Sequence, residues 1–425
     1  MLWPSGFPGG AARVSGDPDG WRPGVRKFAP APETTEIRTV TLAPMSNSPT
    51  RPAAPISPLD LAAERAELGS ELETVILEVL SSGQYVLGPH VQAFENAFAE
   101  LCGVSHGVGV ASGTDALIVA LRALGIGPGD GVVTTPFTFF ASASTIAMAG
   151  ARPVLADVEL ETGLLDVAAA EAALDSNTRM ILPVHLYGQM VDMRGFASLA
   201  EKHGVTILED AAQAHGAVRD RVRPGQLSQA ACFSFYPTKN LGAAGEGGLV
   251  VTKEDALAQR LREVRDHGSA KKYHHEHLGT NSRLQAFQGA VLGCKLPHLE
   301  RWNERRRAIA AQYDAAFAEV EEVVPLTTRE SSVHARHQYT VRIVGPRNRD
   351  EVQCDLAGLG IGAAVHYPVT VHAQAAAKPW GYSEGQFPNA ERLAREVLCL
   401  PVHPFLTDED VERVATAVRD TARGV

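Results

Sequence analysis

The sequence predicts an α/β fold: a mainly parallel central sheet with helices on both faces, followed by a smaller C-terminal α+β domain. Three observations lead there. Short, predominantly apolar runs recur between Val108 and Thr252, as in strands covered on both sides. Helical stretches separate these runs, as parallel crossovers require. At 425 residues the chain has room for a large core plus a second unit, and its texture changes after Pro325.

Taken in order, the segment 1–55 is rich in Pro, Gly, Arg and Thr and lacks periodicity, so it is expected to be a disordered extension. Met45 within it is a plausible alternative start. Order is expected from Ile56, with a helix from about Leu59 to Leu80. VGVA (Val108–Ala111) reads as the first strand and Thr114–Leu124 as a helix stopped by GIGPGD. VVTT (Val132–Thr135) precedes a small-residue helix ending at Ala149. PVLAD (Pro153–Asp157), MILPV (Met180–Val184), VTILED (Val205–Asp210), CFSF (Cys232–Phe235) and GLVVT (Gly248–Thr252) continue the series. Helices are expected from Asp255 to Val320. A strand at Gln338–Val344, a helix after Arg349, a strand near Ala363–His366 and two last helices complete the C-terminal lobe. The division expected is 56–320 for the large domain and 321–425 for the small one.

Composition narrows the function. A net charge of −10, with no basic arm, gives nucleic acid no footprint. No apolar run reaches a membrane span, so no membrane partner is expected. The five cysteines are scattered and never form C-x-x-C, which fits a reducing compartment; a cytoplasmic location is expected.

Four positions carry chemistry. In SFYPTKNLGAAGEGG, Lys239 follows an apolar strand and precedes glycines, where α/β folds bind ligands. Desolvated there, a lysine loses its proton more readily and can attack an aldehyde; the same position also suits a loop lysine in solvent. Asp210 ends a strongly apolar strand, where a carboxylate needs a positive partner such as a protonated pyridine nitrogen, or serves as a helix cap. Ser112, Gly113 and Thr114 stand at a strand-to-helix junction, either an anion site or an ordinary cap. Phe139 lies past the next strand, suited to covering a flat ring or to filling core. Their order is more informative than any one of them: phosphate grip, ring stack, ring-nitrogen acid and aldehyde amine follow one another at successive strand ends.

Those residues sit within YVLGPHVQAFE, ASGTDAL, PVHLYGQMVDM, ILEDAAQAHGA, FSFYPTKNLGAAGEGG, LGTNSRLQAFQGAVL and VHYPVTVHAQ. With these motifs the chain resembles the DegT/DnrJ/StrS family of sugar aminotransferases, from about Leu59 to the C-terminus. The resemblance implies a fold-type I enzyme dependent on pyridoxal 5′-phosphate (PLP). It implies that Lys239 carries the cofactor, that Asp210 faces the pyridine nitrogen and that Gln213 bonds the phenolic oxygen. Phe139 would cover the ring, and Ser112, Gly113, Thr114 and Ser234 would hold the phosphate. Asn281 in GTNSRL matches an asparagine that reaches the neighbouring subunit's phosphate, which implies a homodimer with active sites at its interface. Two positions depart from the family pattern: Gln285 replaces an acid after NxRL, and Ser228–Gln229 stands where Gly-Asp is frequent.

The implied reaction transfers an amino group from glutamate or glutamine to a nucleotide-linked keto sugar. PVHLYGQ resembles enzymes acting at C3, pointing to a dTDP- or UDP-3-keto-6-deoxyhexose. His185, Tyr187, His366 and Tyr367 are candidates for lining the sugar pocket, or for structural hydrogen bonds. The alternatives are a cyclitol aminotransferase of the scyllo-inosose type and a PLP-binding regulatory protein without turnover. A sugar dehydratase of the related branch is disfavoured, since it carries histidine where this chain has Lys239. In KKYHHEHLG, His274, His275 and His277 lack the spacing of a metal site, and a flexible loop near the interface is expected instead. Arg305, Arg306 and Arg307 are expected to form a solvated helix face.

Overall fold

The computed structural model describes residues 54–271 and 273–425. The expectation of disorder before Ile56 therefore lies, up to residue 53, outside the described residues. Ile56 itself pairs with Ile361 as a parallel bridge, and Ala54 accepts a hydrogen bond from Arg413.

A seven-stranded sheet organises the larger part of the chain. Its strands are β1 (His106–Val110), β2 (Gly131–Thr134), β3 (Arg152–Leu155), β4 (Thr178–Ile181), β5 (Thr206–Asp210), β6 (Ala230–Ser234) and β7 (Gly248–Thr252). They lie in the order β1-β7-β6-β5-β4-β2-β3. Pairing is parallel from β3 through β6, and β7 runs antiparallel to both β6 and β1. Six strands thus deliver their carboxyl ends to one edge. All seven coincide with the apolar runs expected from sequence, and their residues are nearly all buried, as double-sided cover demands. Val108, Val133, Met180, Leu208, Phe233 and Val250 lie in the principal core.

Helices follow strands as the crossovers require. Ser112 caps the helix Gly113–Ala123 by accepting from the Asp115 amide at 3.1 Å. The small-residue helix spans Ala141–Met148. The long helix expected at Leu59–Leu80 is two helices, Leu61–Leu68 and Ser70–Ser82. Gly69 breaks it with φ 53° and ψ −129°, a conformation that only glycine adopts readily.

A second sheet holds β8 (Val323–Pro325), β9 (Tyr339–Ile343) and β10 (Val397–Leu400), all antiparallel with β9 central. A strand near Ala363–His366 does not form; Ala364 makes one bridge to Cys399, and β10 takes the place beside β9. A second core packs behind this sheet, drawing Ile56, Ile309, Tyr313 and Phe317 together with Leu356 and Val414. The histidine-rich segment is a short antiparallel pair, Ser269–Lys271 with His274–His275, rather than an unstructured loop. Among the described residues no helix is long and apolar enough to cross a membrane.

Candidate active site

The site forms where the parallel strands end, the position at which α/β sheets open a crevice. A cavity of about 540 Å³ lies there. The β1 end supplies Ser112, Gly113 and Thr114; the β2 end Phe139; the β5 end Asp210 and Gln213; the β6 end Ser234 and Lys239. His366 and Tyr367 reach it from the segment before β10. Ten of the thirteen candidate residues are therefore brought to one cavity, whichever part of the chain they come from.

At the β1 end, the first amides of the helix Gly113–Ala123 have no intrahelical acceptor, so they and the helix dipole favour an anion. Gly113 is packed against Ser234: a Cβ there would come within 2.5 Å of the serine Cβ. Only glycine lets the two segments share one cradle. Ser234 is positioned in turn by His215, whose Nε2 donates to the Ser234 carbonyl at 2.9 Å. His215 is wedged among Phe98, Phe233 and Phe235. Burial pulls its pKa down to about 3, so it is neutral and its Nδ1, which has no partner, needs no proton acceptor.

Asp210 is 6% exposed, and its carboxylate accepts from the Ser142 hydroxyl at 2.7 Å and from the Ala212 amide at 3.1 Å. Thr138 and Ser142 also share a hydrogen bond at 2.9 Å. Across the cavity, Lys239 is pushed from 10.5 to about 8, by burial first, with the negative Asp210 partly opposing the shift. That amine carries a substantial neutral fraction near neutrality and is a competent nucleophile. Gln213 accepts at Oε1 from the Tyr187 amide, which leaves its amide nitrogen as a donor; that nitrogen lies 3.4 Å from the Tyr367 hydroxyl. Phe139, with 58% of its surface exposed, offers an open ring face and lies 5.9 Å from the Tyr367 ring. Burial, then the nearby Lys239 charge, lowers His366 to about 4, so its ring is a neutral hydrogen-bonding group; Nδ1 is 2.7 Å from the Gln338 amide nitrogen.

Three candidates stand elsewhere. His185 does not line the cavity: its side chain is fully buried, its Nδ1 accepts from the Val191 amide and its Nε2 donates to Glu209 at 2.6 Å. The reason is the strand's two-residue period, which turns Glu209 away from the face carrying Asp210 and takes His185 with it. Tyr187 is likewise buried, with φ 60°, and its hydroxyl donates to the His366 carbonyl, so it supports the cavity wall from behind. Asn281 is exposed and lies outside its own chain's cavity.

Residues that motif reading did not single out include Thr138, Tyr236, Glu246 and Thr238 around the two sides of Lys239, and Ser142 behind Asp210. Nothing in the sequence marked Ser142, which shares its helical turn with Ser144 and Thr145. Ser228, a departure from the family pattern, donates to Glu209, and Gln229 accepts from the Ile207 amide at 2.7 Å. Both support β5 rather than the cavity.

A phosphate cradle, a desolvated amine, a held carboxylate, an amide donor and an open aromatic face are the groups a phosphorylated pyridine aldehyde requires. The residues present fit that cofactor, and the fold and site define a PLP-dependent aminotransferase. Residues 66–419 match the DegT/DnrJ/EryC1/StrS aminotransferase family, and the chain belongs to it. A dTDP-3-amino-3,4,6-trideoxy-alpha-D-glucose transaminase of Streptomyces venezuelae is 45% identical over 381 residues, covering 90% of this chain and 99% of that protein. A protein of Geobacillus stearothermophilus named as a pleiotropic regulatory protein is also 45% identical, over 86% of this chain and 98% of its own. The crystal structure of S. venezuelae DesV in complex with a ketimine intermediate superimposes with a TM-score of 0.85 and 45% identity, covering 88% of this chain and all of that one.

Proposed function

We propose that the enzyme moves an amino group from glutamate or glutamine to C3 of a dTDP- or UDP-linked 3-keto-6-deoxyhexose. The observation that carries this reading is the meeting of Lys239 and Asp210 in one cavity, in a chain 45% identical to a 3-amino-sugar transaminase. PLP supplies an aldehyde that accepts the amino group and a ring that takes up electrons as the substrate carbon loses its proton. Lys239 would attach the cofactor, and its amine, once free, would serve as the acid/base that holds and moves the proton. Asp210, held by Ser142 and Ala212, would keep the ring nitrogen protonated. Ser112, Gly113, Thr114 and Ser234, which line the cavity, would grip the phosphate, Gln213 would donate to the phenolic oxygen and Phe139 would cover the ring. His366 and Tyr367 line the sugar side as neutral hydrogen-bonding groups.

The working unit in this reading is a cytoplasmic homodimer, with Asn281 completing the phosphate site of the neighbouring subunit. The exposed Leu77, Leu80, Tyr85 and Val86 supply apolar surface for such an interface. Residues 56–320 would form the PLP-binding domain and 321–425 the smaller one. The regulatory name of one relative gives a second reading, a PLP binder without turnover. The intact Lys239, Asp210 and phosphate cradle favour the enzyme.

Purified protein should convert its bound cofactor to the amine form with glutamate and then aminate a keto sugar. dTDP- and UDP-3-keto sugars are to be screened against scyllo-inosose; turnover of the cyclitol alone would overturn the sugar assignment. K239A should lose both the bound-cofactor absorbance and turnover, and retained turnover would overturn the role of Lys239.

A further inference from the structure

The three consecutive arginines on the helix Leu299–Phe317 are not equivalent. Arg305 pairs with Asp408 at 2.9 Å and Arg307 with Glu300 at 2.6 Å, and both side chains are only partly exposed, so the expected fully solvated face does not form. Arg306 turns inward and is 6% exposed. Its Nη1 reaches only the carbonyls of Arg336 and Val402, at 3.5 and 3.4 Å, and its Nε has no partner. Among the described residues no carboxylate lies within ion-pairing distance of it. The acid that influences it, Glu64, is already bound to Lys295. A buried cation without a counter-charge is costly, and proteins retain one where a ligand completes it.

Arg306 opens onto a second chamber of about 200 Å³. This chamber shares Gln213, Lys239, His366 and Tyr367 with the cofactor cavity, so the two meet at the reactive amine. The lining differs in charge. Asp210 and Glu246 face the larger cavity, whereas the smaller one has no acid and presents Arg306, Thr238 and Gln338 as donors. His337 and His366 beside them are held neutral by burial. The volume suits an amino acid of a few carbons and excludes a nucleotide sugar.

We propose that this chamber binds a carboxylate of the amino-acid donor, with Arg306 as its counter-charge. The inference rests on the donor reading above and assigns it a place: donor and nucleotide sugar use different walls around Lys239. A guanidinium suits a carboxylate because it can donate two parallel hydrogen bonds.

The test separates the two half-reactions in the holoenzyme, each followed by the cofactor's absorbance. In R306M, the glutamate concentration giving half the maximal rate should rise roughly tenfold or more, while the amino-sugar half-reaction should stay within about twofold. R306K should fall between R306M and wild type on the glutamate side. A folding defect would move both halves together. The wild-type protein gives a second measurement: cofactor-free protein should bind glutarate by calorimetry, and R306K should bind it more weakly. Equal effects on both half-reactions, or wild-type protein that binds no glutarate, would overturn the subsite while leaving the aminotransferase standing. Wild-type protein converted by no amino acid would overturn both.

Discussion

The Ser142 hydroxyl donates to the Asp210 carboxylate at 2.7 Å, both groups buried at the end of β5. Ser142 lies 68 residues ahead in sequence, on the helix that follows Phe139. The contact ties the segment carrying the aromatic face to the strand carrying the acid. With the Ala212 amide it fixes the carboxylate from two directions at the wall of the cavity. An acid that must meet a ring nitrogen at one angle needs such support.

S142A removes one hydrogen bond to a charged acceptor and should weaken PLP binding by about 1.5–3 kcal/mol, roughly tenfold to a hundredfold in dissociation constant. Titrating cofactor-free protein with PLP measures it. S142T, which keeps the hydroxyl, should recover part of the loss; equal affinity in wild type and S142A would remove Ser142 from the site.

The lowered Lys239 sets a pH dependence. Below about 8 the neutral fraction falls tenfold per pH unit, so PLP capture by cofactor-free protein should climb with pH and flatten near 8, not near 10.5. Since Asp210 opposes the shift, D210N should move that inflection lower. Stability follows the same group. The folded pKa lies under the unfolded one, so between about 8 and 10.5 the unfolded chain binds the extra proton and Lys239 makes cofactor-free protein more stable as pH rises. Stopped-flow capture rates across pH 6–10 check the first point, and an inflection near 10.5 would mean a solvated lysine.

His185 and Glu209 form a fully buried pair, and Glu209 is further held by Ser228 and the Gly225 amide at 2.8 Å. H185A leaves that carboxylate short of one partner and should cost about 3–5 kcal/mol of stability, measured by denaturant unfolding. The Michaelis constant for the sugar should change little in the folded fraction. A raised sugar constant with an unmoved unfolding midpoint would return His185 to the substrate pocket.

The strands were legible because each is a continuous apolar run, and a sheet covered on both faces leaves no other pattern. Lys239, Asp210 and the Ser112–Thr114 turn were legible for a related reason: each polar group interrupts such a run at its carboxyl end. What sequence hid was direction. Glu209 and Asp210 are adjacent in the chain and opposite in space, and nothing in PVHLYGQ says which of them His185 joins. Arg306 is flanked by two partly exposed arginines, and only the helical turn, 100° per residue, separates its face from theirs. β10 was missed because VLCLP directly continues the helix Pro388–Glu396, leaving no polar punctuation between them.

The last prediction concerns the cradle itself. Gly113 opens the helix Gly113–Ala123, and the Ser234 side chain stands where its Cβ would be. G113A needs β6 and the helix start to separate by several tenths of an ångström, since the clashing atoms are a serine Cβ, its hydroxyl and its Cα rather than a flexible tip. Alanine is the better helix former, but relieving the clash is overpacking, so global stability should fall by about 1–3 kcal/mol. The amides of the first turn, however, would no longer converge with Ser234 on one anion. G113A should therefore weaken inorganic phosphate and PLP together, by about tenfold each, while leaving the Lys239 capture inflection near pH 8. Phosphate binding by calorimetry on cofactor-free protein isolates the cradle from the amine. If phosphate affinity were untouched and PLP affinity alone fell, the phosphate would have to sit away from this turn.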